Sequence, residues 1–232
     1  MNDELGNRIK SYYEDPARVL LPRKTWVVIR VDGKGFHTFT KHLERPYSRA
    51  LADALDRAAM FVAGQMAGCA FGYGQSDEYS FLMSDFGRDD SRMWFDGSVQ
   101  KIASVTASLF TAGFHRHYAD PGYAAFDARV FAVPNRREVE RYFLWRQADA
   151  TRNSLNMLAS SHYSHEELLG KPAAEKHDLL HAKGENWAKW PADFKRGRVV
   201  RPEKRGFAVD LEIPVFSREK AYLDALIPRA DE

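Results

Sequence analysis

Two kinds of hydrophobic spacing alternate along the first half of the chain. Apolar residues recur every three or four positions over residues 5–13, 51–66 and 94–117, which predicts three helices, the second with Ser48 as its N-cap. Nearly continuous runs of β-branched and aromatic residues predict four strands, over residues 26–31, 69–73, 79–83 and 126–133. From the first strand onward, the order strand, helix, strand, strand, helix, strand indicates an α+β fold with a ferredoxin-like βαββαβ sheet. Both crossover helices of such a sheet pack on one face.

The second half of the chain has a different pattern. A long helix is predicted over residues 138–159, where polar side chains interrupt an apolar stripe. Short helical pieces broken at glycines follow, and residues 197–201 and 205–213 predict a β-hairpin. We therefore divide the chain into a first unit, residues 1–135, and a C-terminal extension of helices and a β-hairpin, residues 136–232.

Composition and charge limit the classes of protein that fit. A formal net charge of +2 over 232 residues does not identify a nucleic-acid-binding protein, so any such surface must be local. The single cysteine, Cys69, excludes an intramolecular disulfide and favours a reducing compartment. The N-terminus has no signal sequence and no apolar run is long enough to cross a bilayer. We expect a cytoplasmic protein that has no membrane partner.

Two carboxylates stand where predicted strands end. Asp32 follows the β-branched run directly and precedes Gly33 and Gly35, and Asp77 lies in the turn between the second and third strands. In a βαββαβ sheet the first strand lies beside the third, so the two carboxylates are expected to be neighbours. Such a pair suits two divalent cations that bridge nucleotide phosphates, and the amides of residues 33–37 could contact the phosphate oxygens. The alternatives are an ordinary Asp-Gly turn and a solvated hairpin tip.

Four motifs, RVDGKGFHTF, YGQSDEYSF, FDARV and WRQADATRNS, resemble the tRNA-His guanylyltransferase-like proteins, the 3′-to-5′ nucleotide polymerases. The resemblance covers about residues 5 to 160 and implies a polymerase-type palm. It implies that two magnesium ions are bound by Asp32, the Gly33 carbonyl and Asp77, with Glu78 supporting the catalytic site. It also implies a site for the triphosphate of ATP or GTP, formed by Lys34, Gly35, Phe36 and His37 together with Ser76. For His37, stabilisation of the loop is the alternative.

The resemblance also implies contacts with the 5′ end of a tRNA. Lys101 and Arg129 match basic family positions there, and Asn153 matches a family asparagine after RQAD. A lone lysine on a helix is usually a solvated charge. Arg129, if buried in its strand, needs an anionic partner, and Asp127 is the structural alternative to a phosphate.

Contact with the body of the tRNA must use local clusters of basic residues. Arg136 and Arg137 begin the long helix, and a second basic run, residues 195–205, lies near Trp187 and Trp190, which could stack on bases. Solvated surface is the alternative for both clusters. We expect the extension to contribute to tRNA binding and to assembly, because the family tends to form homotetramers.

The chain departs from the founding enzymes after RQAD. Enzymes that add the extra guanosine to histidine tRNA carry His-Ile-Asn-Asn there, whereas this chain has Thr151-Arg152-Asn153-Ser154. We therefore predict template-dependent 3′-to-5′ repair of tRNA 5′ ends, after activation of the 5′-monophosphate by ATP or GTP. The alternatives are guanosine addition to histidine tRNA, another palm enzyme such as a nucleotide cyclase or forward polymerase, and a ferredoxin-like RNA-binding module without catalysis.

Overall fold

A computed structural model describes residues 3–87, 90–119 and 122–230 of the chain. These residues form a mixed α/β fold around one six-stranded sheet in which every pair of neighbouring strands is antiparallel. The strands are β1 (Trp26–Gly33), β2 (Cys69–Gln75), β3 (Glu78–Ser84), β4 (Phe126–Val133), β5 (Arg198–Glu203) and β6 (Gly206–Asp210). They lie in the order β4-β1-β3-β2-β5-β6, so the predicted adjacency of the first and third strands is confirmed. The predicted late hairpin is also present, and it extends the same sheet through β2.

Nine α-helices are described around this sheet. They are α1 (Glu4–Ile9), α2 (Phe36–Phe39), α3 (Arg49–Gln65), α4 (Val99–His117), α5 (Arg136–Ser160), α6 (His165–Leu168), α7 (Ala173–Ala182), α8 (Ala192–Arg196) and α9 (Lys220–Leu226). None of the helices in the described ranges is long and apolar enough to cross a membrane. The cytoplasmic location stays a prediction.

One face of the sheet is covered by α3 and α4, as predicted for the crossover helices. Ile29 and Val31 of β1 are fully buried in the same apolar core as Leu55 of α3 and Phe110 of α4. Burying a side chain of this size stabilises the fold by about 1.5–3 kcal/mol. The hydroxyl of Ser48 accepts the amide hydrogen of Leu51, which confirms Ser48 as the N-cap of α3.

The opposite face of the sheet is covered by α5 and by the C-terminal segment that includes α9. Val28 of β1 and Leu82 of β3 are fully buried there in one apolar core with Phe143 of α5, with Leu223 of α9 and with Phe216, which precedes α9. Because both faces of β1 are covered, the strand reads as a continuous apolar run in the sequence. Residues of the C-terminal extension, 136–232, therefore complete the apolar core on this face of the sheet.

Two predicted helices differ from the observed ones. The first ends at Ile9, and a π-helical turn (Lys10–Glu14) follows it. The helix expected from residue 94 begins at Val99, because Phe95 and Asp96 have φ values of 51° and 52°, which belong to the left-handed region. These differences lie at element ends, where sequence patterns are least informative.

Candidate active site

The polar end of the sheet holds the two predicted carboxylates. On the face covered by α5, β1 is apolar up to Val28, and the next two positions on that face are Arg30 and Asp32. Asp77 lies in the connection between β2 and β3, next to the end of β1 because β1 pairs with β3. A Cβ atom added to Gly33 would lie 2.6 Å from Asp77 Oδ2. The fold therefore brings Asp32 and Asp77 together.

The electrostatics of this pair are unfavourable without a cation. Within the described ranges, neither Asp32 nor Asp77 has an ion pair, and Asp77 accepts a 3.0 Å hydrogen bond from the Ser76 hydroxyl. Burial raises the pKa of Asp77, hydrogen bonds from Ser76 and from its own amide lower it, and the charge of Asp32 raises it again. Two half-buried carboxylates that repel each other are stabilised by a divalent cation between them.

A cation at this pair would need further ligands. In the part of the chain that the structure describes, no group of three or more His, Cys, Asp or Glu side chains could hold a metal ion. Mg²⁺ prefers six oxygen ligands and usually keeps waters or takes substrate phosphates. The donor set of two carboxylates, the Gly33 carbonyl and non-protein oxygens fits that preference.

The loop after β1 is held by one buried aromatic residue. Gly35 has a φ of 59° and is the N-cap of α2, while Phe36 is 6% exposed and packs in the core. In the described residues, the amides of Phe36 and His37 have no backbone acceptor. The amide of Lys34 donates to the Ala125 carbonyl at 2.8 Å, so it is not free for a phosphate. The expected phosphate contact of the Lys34 amide is therefore corrected.

Two cavities meet at the carboxylates, and both are lined by Asp32, Ser76 and Asp77. The larger has a volume of about 650 Å³ and is also lined by Gly33, Gly35, Phe36 and His37 and, from the other side, by Tyr47, Leu51, Leu55, Asn156 and Ser160. The smaller has a volume of about 350 Å³ and extends towards Glu78, Arg146, Asp149 and Asn153. The larger cavity falls within the usual size range of small-molecule sites. The predicted residues Gly35, His37 and Ser76 thus share a cavity wall, although His37 also lies 3.1 Å from the Thr38 hydroxyl, a contact that suits loop stabilisation.

Glu78 is held by two arginines. Arg146 of α5 is 5% exposed, and its Nη2 lies 2.7 Å from Glu78 Oε1, while its Nη1 lies 3.3 Å from Asp149 Oδ2. Arg30 Nε lies 3.9 Å from the other oxygen of Glu78. Burial raises the pKa of Glu78, and the charges of Arg146 and Arg30 oppose that rise.

Arg146 and Asp149 were not among the predicted site residues. Both belong to the polar interruption of the apolar stripe of α5, at i, i+3 spacing. That interruption was the signal from which Arg146 and Asp149 could have been identified, because a helix packed on a sheet rarely buries charged side chains without a partner.

Of the three residues predicted to contact the tRNA 5′ end, the two basic ones, Lys101 and Arg129, lie in different places. Lys101 is exposed near the start of α4, with its ammonium 4.9 Å from the Phe95 ring centroid. The other end of α4 approaches the loop through Phe114, about 20 Å further along the helix axis. The structure therefore does not bring Lys101 to the carboxylates. Arg129 is exposed and stands opposite Arg30 on the neighbouring strand. An exposed arginine does not need a buried anionic partner, so the argument that assumed a buried Arg129 is wrong.

Asn153 does lie at the site. The side-chain amide of Asn153 lines the smaller cavity and donates to Asp149 at 3.4 Å.

The two arginines of the predicted basic cluster on α5 differ in their surroundings. Arg136 contacts α9 through the Asp224 carboxylate and carbonyl, both at 2.9 Å. Arg137 is exposed. Binding of tRNA by these two arginines stays a prediction, and of the two only Arg137 is exposed.

The late basic run is divided between the interior and the surface: Arg201, Lys204 and Arg205 are exposed, whereas Arg198 is buried and both tryptophans are half-buried. Arg198 is 1% exposed, so it is not part of a surface for RNA. The Trp187 indole donates to the Ser154 hydroxyl at 3.0 Å, and the Trp190 indole donates to Glu185 at 3.3 Å. Both rings pack on the core around Leu158. Stacking of these rings on bases stays a prediction, and packing against the core already covers part of each ring.

Comparisons with known proteins agree on one family. A family model described as "Thg1: tRNAHis guanylyltransferase" matches residues 6–134. The tRNA(His) guanylyltransferase of Schizosaccharomyces pombe is 34% identical over 199 residues, which cover 78% of this chain and 74% of that protein. The tRNA(His) guanylyltransferase of Neurospora crassa is 32% identical over 210 residues, which cover 81% of this chain and 69% of that protein.

Solved structures extend the likeness to the C-terminal half. A bacterial tRNA(His) guanylyltransferase (Thg1)-like protein in complex with ATP matches with a TM-score of 0.90 and 36% identity, over 96% of this chain and 99% of that one. A bacterial Thg1-like protein in complex with GTP matches with a TM-score of 0.81 and 33% identity, again over 96% and 99%. The Saccharomyces cerevisiae enzyme matches at 0.72 and 23% identity, over 90% and 99%, which supports the fold alone.

Proposed function

The chain belongs to the tRNA(His) guanylyltransferase (Thg1) family of nucleotidyltransferases, and we propose that it adds nucleotides to tRNA 5′ ends in the 3′-to-5′ direction. One observation carries this proposal. Asp32 and Asp77 converge without a cationic partner in the described chain, at the junction of a larger and a smaller cavity. A site of that form accommodates a nucleoside triphosphate and a second phosphate-bearing group on either side of shared cations.

We propose that Asp32, Asp77 and the Gly33 carbonyl hold two magnesium ions. Bound there, the ions would neutralise phosphate charge and lower the pKa of a nucleotide hydroxyl. Glu78 keeps its orientation through Arg146, which limits how the carboxylate can rotate.

The larger cavity is the proposed site for ATP or GTP. The triphosphate would lie against the loop that follows β1, from Gly35 to His37, and against Ser76. The apolar floor of the cavity, Leu51 and Leu55 of α3, suits the faces of a nucleobase. The complexes of the similar bacterial proteins with ATP and with GTP support this assignment.

We propose that the first four strands act as a polymerase-type palm. The order β4-β1-β3-β2, with α3 and α4 on one face, supports the ferredoxin-like interpretation. In this view residues 1–135 are the catalytic unit, and residues 136–232 supply α5, the hairpin and tRNA contacts. Asn153 would contribute from α5 to the smaller cavity, and Arg129 would contact the 5′ end. Lys101 lies too far along α4 to contact the 5′ end at the carboxylates, so its proposed contact would be with another part of the tRNA.

Repair of truncated tRNA 5′ ends against the opposite strand is the preferred reaction. The segment Thr151 to Ser154 lacks the histidine that the family resemblance of the motifs implies for enzymes dedicated to histidine tRNA. Ser154 is instead used internally, because it donates to the Lys195 carbonyl at 3.2 Å and accepts from Trp187. Addition of the extra guanosine to histidine tRNA is the second candidate, and the names of the curated relatives favour it.

One experiment separates these reactions. The protein is incubated with magnesium, all four triphosphates and either a tRNA lacking its first nucleotide or a full histidine tRNA transcript without the extra guanosine, and the 5′ ends are sequenced. If the reaction is repair, the added nucleotide should be complementary to the base opposite the missing position, for each of four tRNAs that differ in that base. Guanosine alone, added only to histidine tRNA, would replace repair by the second candidate. Magnesium-independent triphosphate binding without any addition would favour an RNA-binding module.

We also propose a homo-oligomer, with a tetramer expected. The N-terminal segment exposes large apolar side chains and buries none of its helical residues; the exposed ones are Leu5, Ile9, Tyr12, Tyr13, Val19 and Leu20. Light scattering coupled to size exclusion measures the mass directly, and a mass of one chain at micromolar concentration would contradict the proposal.

A further inference from the structure

A fully buried arginine lies beneath the turn that carries Asp77. Arg198 of β5 is 1% exposed and has the largest side chain among the residues so buried. Its Nε contacts the carboxylate of Asp56 on α3 and lies 3.0 Å from the Tyr79 hydroxyl, which also donates to Asp56. Its Nη2 lies 3.4 Å from the Ser76 carbonyl. One guanidinium therefore joins α3, β3 and the turn between β2 and β3.

The sheet creates the space for these contacts. Gly74 of β2 pairs with Tyr79 on one side and with Arg198 on the other. A Cβ atom at Gly74 would lie 2.3 Å from the Tyr79 ring, so only glycine lets that ring lean across β2. The Arg198 Cζ atom then lies 5.4 Å from the ring centroid. The Phe-Gly-Tyr-Gly segment of β2 is thus the reason that a residue on β5 can reach the turn.

The turn itself needs support. Ser76 has a φ of 53°, a left-handed conformation that a residue with a side chain adopts at a cost. Its hydroxyl donates to Asp77 Oδ1 at 3.0 Å, and its carbonyl accepts from Arg198. The Ser76 carbonyl, which belongs to the peptide that joins Ser76 to Asp77, is therefore held by Arg198. The Ser76 hydroxyl links the same turn to the Asp77 carboxylate.

We propose that Arg198 is a positioning residue that holds the Ser76–Asp77 turn in its cation-binding conformation. This inference rests on the proposed function, because it assigns to Asp77 a metal to bind. Arg198 lies outside residues 6–134, which the family model matches, so the extension would contribute to the site through β5, a strand of the same sheet. The competing explanation is that Arg198 only neutralises the buried carboxylate of Asp56.

A paired substitution separates these explanations. Arg198→Met alone leaves Asp56 charged and buried, which endangers folding. Asp56→Asn combined with Arg198→Met removes both charges, so a purely neutralising role predicts recovery of both stability and cation binding. A positioning role predicts recovery of stability only, because the Ser76 carbonyl still lacks its donor. The matched control is Arg57→Met, which removes an exposed arginine next to Asp56 on the same helix.

The measurement is a titration of the nucleotide-free protein with Mn²⁺, followed by electron paramagnetic resonance, with thermal melting in parallel. We expect the double variant to melt near the wild-type temperature and to bind Mn²⁺ about tenfold more weakly, as loss of one hydrogen bond from a charged donor would cause. Arg57→Met should bind like the wild type. A folded double variant with wild-type affinity would overturn the inference.

Two further outcomes are decisive. If the double variant does not fold, Arg198→Lys is used, since it keeps the charge opposite Asp56 with a shorter reach and fewer donors. The same weakening of Mn²⁺ binding is expected of it, and wild-type affinity would overturn the inference. A wild-type protein that binds no Mn²⁺ would overturn the metal-binding part of the proposed function together with this inference.

Discussion

Replacing Arg146 by methionine tests how the site keeps its carboxylates in place. Methionine preserves most of the aliphatic volume on α5 but removes the guanidinium that lies 2.7 Å from Glu78 and 3.3 Å from Asp149. The Arg146 side chain is 6% exposed, and those of Glu78 and Asp149 are 17% and 15% exposed. The substitution therefore leaves the mostly buried carboxylate of Glu78 without its principal partner and removes one of the two arginines at Asp149, which keeps its contact with Arg152.

The magnitude follows from the burial. Removing one member of a fully buried ion pair costs about 3–5 kcal/mol. Here both carboxylates retain some contact with solvent, Arg30 stays near Glu78 and Arg152 stays in contact with Asp149, so we expect a loss of about 2–3 kcal/mol at neutral pH. For a chain of this size that loss lowers the melting temperature by about 4–12 °C.

The loss should depend on pH in a defined direction. Burial already raises the pKa of Glu78 above its ordinary value of 4.5, and Arg146 is the main group that opposes the rise. In Arg146→Met the pKa of Glu78 therefore rises further. A carboxyl group with a raised folded pKa contributes stability that is present below its unfolded pKa and is lost as the pH rises through the folded pKa. The stability deficit should be smallest at or below pH 4.5 and should grow towards neutral pH.

Two assays check this reasoning. Thermal melting of wild type and variant across the acid range measures the deficit, and the pH dependence of kcat/KM for nucleotide addition measures the ionisation that activity requires. The acid limb of the activity profile should move to higher pH in the variant. A deficit that does not change with pH, together with an unmoved acid limb, would refute the assignment of Glu78 to Arg146.

Two further predictions concern other parts of the site. Asp77→Asn should abolish Mn²⁺ binding and lower nucleotide addition by about 100-fold or more, because it removes a proposed metal ligand; its melting temperature without metal should equal or exceed the wild-type value, since burial and Asp32 both raise the pKa of Asp77. A clear drop in that melting temperature would argue that Asp77 is structural. Arg137→Ala should weaken tRNA binding and reduce the salt slope by about one, whereas Arg136→Ala should mainly lower stability through its lost contacts with Asp224. Filter binding at several salt concentrations and thermal melting distinguish the two arginines, and identical effects would contradict this division.

Local sequence patterns predicted much of the framework. The β-branched run before Asp32 predicted a strand buried on both faces, and Val28 and Ile29, which face opposite sides of the sheet, are both fully buried. The turn residues around Asp77 predicted a hairpin, and Ser48 predicted a helix start. These features succeed because each depends on backbone conformation and side-chain periodicity within a few neighbouring residues.

Several side-chain roles were beyond the reach of the same patterns. Arg198 sits in a basic run that is typical of solvated surface, yet it is buried because glycines in β2 make room for it. Trp187 reads as an exposed stacking residue, yet its indole bonds Ser154 on α5. Lys101 lies on the polar side of its helix, and only the packing of α4 shows how far it is from Asp32.

The sequence by itself determined the order of the strands and helices, the carboxylates at two strand ends and the family motifs around them. The tertiary structure alone decided which charges meet. Arg198 and Asp56 are 142 residues apart in the chain and in contact in the fold, and Arg146 reaches Glu78 only because α5 lies across the sheet. The physical reason is that a buried charge is tolerated only beside a partner, and that partner is supplied by packing between distant segments.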